Sequence, residues 1–94
     1  MTDTTDLDRR AADLAARLEA RRVWVSLDGR VAEPTAAEVL GVTTRTLRTW
    51  RAEGRAPRFY DAGRLTYRII DLLLFLESRA HDSQSLAAIG NMRK

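Results

Sequence analysis

Apolar residues recur at helical spacing near the start of the chain. Leu7, Ala11, Leu14, Ala15 and Leu18 fall on one face, which predicts an amphipathic helix to about Ala20 with a polar face of mixed charge. Thr5 and Asp8 have the spacing of a capping box and set its expected start. From Val23 the period changes to that of a strand. Val23, Val25 and Leu27 alternate with Trp24 and Ser26, and Asp28-Gly29 is a hairpin signal before Arg30-Val31, so a short hairpin is expected there.

Pro34 suits the first turn of a helix, where its missing N–H would have no partner anyway, and Ala36, Ala37, Val39 and Leu40 carry that helix to Gly41. Glycine stops it, because a left-handed C-cap is open to a residue without Cβ. Thr43 then offers an N-cap, so a further helix is expected from Thr44 to Glu53, ended by Gly54 and kept from resuming by Ala56-Pro57. Two short helices across a tight glycine turn form the helix-turn-helix pattern. Phe59-Tyr60 and Leu65-Thr66-Tyr67 flank Asp61-Ala62-Gly63-Arg64, which predicts a small β-hairpin, a wing, over Phe59 to Tyr67. A closing helix follows from Ile69 to about Ala80, with Leu72, Phe75, Leu76 and Arg79 spaced along one side. From His81 onward polar residues dominate, and a flexible tail is expected over 81–94.

The expected fold class is therefore mainly α with a small β-hairpin, a winged helix-turn-helix. Residues 1–31 form an N-terminal helix and short hairpin, 32–80 the winged domain and 81–94 the tail. Ninety-four residues suffice for a modest core of three or four helices. With no cysteine and a single histidine, the chain has neither a disulfide framework nor a thiolate metal site, and no metal or other cofactor is expected. The polar, acidic start and the short apolar run Ile69–Leu76, broken by Asp71, point to an unexported protein of the cytoplasm with no membrane contact.

Charge changes the picture only when it is resolved along the sequence. The net +3 is concentrated in residues 43–68, where seven arginines (Arg45, Arg48, Arg51, Arg55, Arg58, Arg64, Arg68) stand against two acids, Glu53 and Asp61. On a helical wheel Thr46, Leu47 and Trp50 share one side of the second short helix. Arg45, Arg48, Thr49 and Ala52 share the other, with Thr44 at its edge. Guanidiniums can pair bidentately with guanine, threonine suits base edges or the thymine methyl, and alanine keeps the surface low enough for a major groove. A basic face on a lone helix is more often plain solvent surface. The adjoining helix, turn and wing reverse that balance here.

The text Ala36-Ala37-Glu38-Val39-Leu40-Gly41-Val42-Thr43, Arg45-Thr46-Leu47, Trp50, Glu53-Gly54, Pro57, Gly63-Arg64, Tyr67-Arg68, Asp71-Leu72 and Phe75-Leu76 resembles the winged helix-turn-helix of the MerR-like superfamily, in its excisionase and AlpA-like branch. The resemblance covers Pro34 to Leu76. It implies that Ala37, Leu40, Val42, Leu47 and Trp50 pack the helix pair, that Thr44, Arg45, Arg48 and Thr49 face the major groove, and that Arg64 and its neighbours lie along phosphate or in the minor groove. Thr43, Arg51, Arg55, Arg58 and Arg68 complete the expected backbone-contacting set. Family members are small factors that bend or coat DNA at attachment sites of mobile elements, or that switch the promoters of such elements.

The expected function is thus sequence-specific binding of double-stranded DNA as an excisionase, a recombination directionality factor that bends attachment-site DNA. The expected partners are an integrase or other recombinase and neighbouring protomers on the DNA, and the protein would be associated with the nucleoid. The alternatives are an AlpA-like transcriptional regulator and, in a different class, a protein-interaction adaptor. The long C-terminal coiled coil of MerR proper has no counterpart in the sequence, so neither a coiled-coil dimer nor a small-molecule effector is expected. Residues Met1 to Val31 have no counterpart in the minimal module. Leu73 and Leu74 beside Leu72 widen the apolar arc of the closing helix, which either the first helix covers or a partner protein does. No carboxylate pair, phosphate loop or nucleophile with its base stands near His81, Tyr60 or Tyr67, so no enzyme is expected.

Overall fold

Four helices and a three-stranded antiparallel sheet make up the computed structural model, which describes residues 4–80. In chain order they are α1 (Thr4–Ala20), β1 (Arg30–Ala32), α2 (Glu33–Leu40), α3 (Thr44–Ala52), β2 (Tyr60–Asp61), β3 (Leu65–Arg68) and α4 (Ile69–Ser78). The expected tail over 81–94, with His81, lies outside the described residues. None of the described helices is long and apolar enough to cross a membrane.

The amphipathic first helix forms, but it begins at Thr4, one residue before the expected cap position at Thr5. The chain leaves α1 through Arg22, whose φ of 63° is in the left-handed region that glycine usually fills. The Val23 N–H then donates to the Leu18 carbonyl at 2.9 Å, closing the last turn.

The expected hairpin over Val23–Val31 is corrected. Its turn exists: the Ser26 N–H donates to the Arg30 carbonyl at 2.8 Å and the Gly29 N–H to the Ser26 carbonyl at 3.0 Å. Residues 23–27, however, form no strand, and β1 pairs with β3, placing Arg30, Val31 and Ala32 opposite Arg68, Tyr67 and Thr66. The reason is burial. Val31 and Tyr67 face each other across that register and neither is exposed, so the distant pairing removes more apolar surface from water than a local ladder would. The β2–β3 hairpin expected over 59–67 does form, with Tyr60 opposite Thr66 and Asp61 opposite Leu65. Strand β3 is therefore central, in the order β1-β3-β2. The expected boundary between residues 31 and 32 falls within β1.

Helix α1 lies along α4, and Leu7 and Leu18 join Val31, Ala36, Ala37, Leu47, Tyr67, Ile69, Leu72 and Leu73 in a single core. Leu73 is covered, whereas Leu74 and Leu76 stay exposed at 45% and 37%. Helix α2 touches α3, α4, β1 and β3, which makes it the hub that fixes where α3 stands.

Candidate nucleic-acid interface

Helix α3 is held by its ends and by one buried side chain. At the end of α2, Gly41 takes φ 77° and ψ 26°, and the Val42 N–H donates to the Ala37 carbonyl at 2.9 Å, which turns the chain sharply. Thr43 caps α3, its hydroxyl oxygen accepting from the Thr46 N–H at 3.0 Å. Leu47 is fully buried beneath the helix. Trp50, expected as a core anchor, is only half-buried and packs against Phe75 with ring centroids 5.8 Å apart. The fully buried anchor of α3 is Leu47.

Arg45, Arg48, Thr49 and Ala52 are all exposed on the other face of α3, with Thr44 half-buried at its margin. Among the described residues Arg45 has no hydrogen bond, ion pair or ring contact. Arg48 likewise has no direct contact, although its charge helps to lower the pKa of Glu33. Arg22, at the end of α1, is similarly uncommitted.

Two arginines grouped with the backbone contacts on charge alone are tied into the fold. Arg51 donates to Glu33 through Nε at 3.0 Å and Nη2 at 3.2 Å, and the Tyr67 hydroxyl donates to the same carboxylate at 2.7 Å. Burial would raise the Glu33 pKa, but the hydrogen bonds from Arg51 and Tyr67 outweigh it and hold the carboxyl below its ordinary range. Tyr67 moves the other way: burial, and then its hydrogen bond to Glu33, push its phenol well above the usual value. This triad joins the first turn of α2, the body of α3 and the centre of the sheet. Arg68 is the second case, donating to Asp71 at 2.9 and 3.1 Å at the start of α4, a pairing that raises its pKa.

The remaining expected residues sit between these extremes. Arg55 pairs with Glu53 at 2.7 Å and lies 6.0 Å from the Trp50 ring. Arg58 lies 5.8 Å from the Tyr60 ring and Arg64 lies 3.9 Å from the Trp24 ring, neither with a carboxylate partner among the described residues. The Thr43 hydroxyl is engaged in the cap of α3 and also donates to the Thr46 hydroxyl.

Two residues that hold these arginines were missed from sequence. Glu33 reads as an ordinary first-turn acid, and nothing local signals that it reaches Arg51 and Tyr67. Trp24 reads as the outer residue of an alternating strand, and only the fold brings it to Arg64. Away from this face, a cleft of about 300 Å³ runs between α1 and the start of α4, lined by residues that include Ala11, Ala15, Asp28 and Ile70. Among the described residues no group of three or more His, Asp or Glu side chains is arranged to hold a metal ion. No family model, curated protein or solved structure matches the chain.

Proposed function

We propose that the chain is a winged helix-turn-helix protein of the excisionase type that binds double-stranded DNA, with α3 as its reading helix and the β2–β3 hairpin as its wing. The observation that carries this reading is the outward face of α3. Arg45 and Arg48 stand exposed and uncommitted beside Thr44, Thr49 and the small Ala52, while nearby Arg51 and Arg68 are neutralised by carboxylates. A surface that leaves guanidiniums without carboxylates, on a helix fixed by the Thr43 cap and a buried leucine, suits bidentate recognition of guanine edges. Arg58 and Arg64, which have no carboxylate partner among the described residues, suit phosphate.

In this reading the protein acts architecturally, bending attachment-site DNA together with neighbouring protomers so that an integrase works in the excision direction. The same contacts would serve an AlpA-like regulator at a promoter. An adaptor that no longer binds DNA has no use for two unpaired arginines on α3, and that disfavours it. No step of covalent chemistry is part of the proposal.

Selection of bound duplexes from a random pool tests it. The parent protein should enrich a defined site, and Arg45→Ala or Arg48→Ala should each lose about 1 to 3 kcal/mol on that site and relax the preference at one base pair. Enrichment of no sequence, or a preference unchanged in both variants, would remove α3 as the reader.

A further inference from the structure

We infer that Trp24 is a positioning residue for DNA binding, its indole holding the Arg64 guanidinium by stacking while the N–H edge of that group stays free for a backbone phosphate. The inference rests on the DNA-binding reading and extends it to the segment before β1, for which the sequence offered no role.

Arg64 sits in the turn between β2 and β3, where residues 61–64 are all exposed. An arginine on such a turn, left alone, samples many rotamers and loses that freedom on binding phosphate. Here the guanidinium carbon lies 3.9 Å from the centroid of the Trp24 ring, within the range of a favourable cation–π contact. The ring is itself held. Val23 on one side is tied through its N–H to Leu18 at 2.9 Å, Ser26 on the other is tied to Arg30 at 2.8 Å, and Val23 and Val25 are half-buried against the core. Trp24 therefore stands on a fixed backbone with 42% of its surface still in solvent.

The kind of contact matters as much as its distance. Arg51 and Arg68 meet carboxylates, which neutralise the charge and occupy the fork of donors. A ring stacked on the face of a guanidinium does neither, because the N–H groups lie in the plane of the cation and point away from the ring. Arg79 makes an equally close stack on Phe75, but there the guanidinium also donates to Ser78. Arg64 is thus ordered without being neutralised, a state suited to gripping an anion.

The test is a double-mutant cycle between Trp24 and Arg64, read by titration of a labelled duplex across a salt series, with urea melts confirming that each variant is folded. Trp24→Ala should weaken binding by about twofold to fivefold in the parent, the effect of losing one exposed cation–π contact. It should have no further effect in an Arg64→Ala background, and Trp24→Phe should restore most of the loss. In the free protein, the Arg64 Hε resonance should be shifted upfield by the indole and should move back in Trp24→Ala. Trp24→Leu, which keeps apolar bulk but has no aromatic face, carries the cycle if the alanine variant is unfolded. If Arg64→Ala weakens binding but Trp24 substitutions do not, or if Trp24→Ala acts equally with and without Arg64, the inference falls while the DNA-binding reading stands. An Arg64→Ala variant that binds like the parent also overturns it. A parent protein that binds no duplex at low salt overturns both.

Discussion

Replacing Arg51 with methionine separates a structural arginine from a DNA-contacting one. Arg51 has 28% of its side chain exposed and Glu33 only 11%, and they share two hydrogen bonds of 3.0 and 3.2 Å. Methionine keeps the length of the aliphatic stem but leaves the Glu33 carboxylate buried with Tyr67 as its remaining donor, at 2.7 Å. Removing one partner of a buried pair costs about 3 to 5 kcal/mol. Tyr67 stays in place and the arginine is partly solvated, so the lower end, about 3 kcal/mol, is expected. Urea melts at neutral pH measure it. Glu33→Gln, which keeps an acceptor for both donors, should cost less, about 1 to 2 kcal/mol, and the double variant should cost less than the sum of the two. The penalty falls on the charged carboxylate, so it should shrink as the pH falls and Glu33 takes up a proton in both folded proteins. A loss below about 0.5 kcal/mol, the range of an ordinary surface change, would show that Arg51 does not serve Glu33 and would return it to the DNA-contacting set.

Leu47→Ala should lower stability by about 2 to 5 kcal/mol, since this side chain is fully buried under α3; a melt close to the parent's would show that α3 is seated otherwise. Arg22→Gly should raise stability by about 0.5 to 1 kcal/mol by relieving a left-handed φ of 63° at the end of α1, and a loss in chemical melts would contradict that. In the parent, Glu33 has a folded pKa below its unfolded value. Its contribution is therefore complete above 4.5 and is lost as the pH falls through the lower folded value, an acid limb that Glu33→Gln should flatten in pH-dependent melts. Arg64→Ala should weaken binding to all duplex sequences alike and reduce the slope of log affinity against log salt by about one unit.

What could be read from the sequence followed from local chemistry. Gly41, Thr43 and Pro34 each have one conformational or hydrogen-bonding preference, and the two short helices around them lie where those preferences put them. Gly63 among polar neighbours marked the β2–β3 turn in the same way. The period-two pattern of Val23, Val25 and Leu27 misled because strand partners are chosen by burial at long range. Val31 found Tyr67, which lies far along the chain, and the nearer segment was left without a ladder. The candidate site divides similarly. Helical spacing suffices to put Arg45 and Arg48 on the exposed face, since one turn of helix decides it. Nothing in the spacing of Glu33, Arg51 and Tyr67 announces a buried triad, because the three meet only when α2, α3 and β3 pack. Charge counting therefore grouped Arg51 and Arg68 with arginines they resemble only in composition.

DNA binding through α3 is tested most directly by fluorescence anisotropy of a labelled duplex that carries the selected site, titrated over a salt series with the parent and with Arg45→Ala combined with Arg48→Ala. The parent should bind at low salt, with log affinity falling linearly against log salt, and the double variant, folded by circular dichroism, should bind at least about tenfold more weakly at every salt concentration. No binding by the parent at low salt, or equal binding by a folded double variant, would contradict a DNA-binding role for this face.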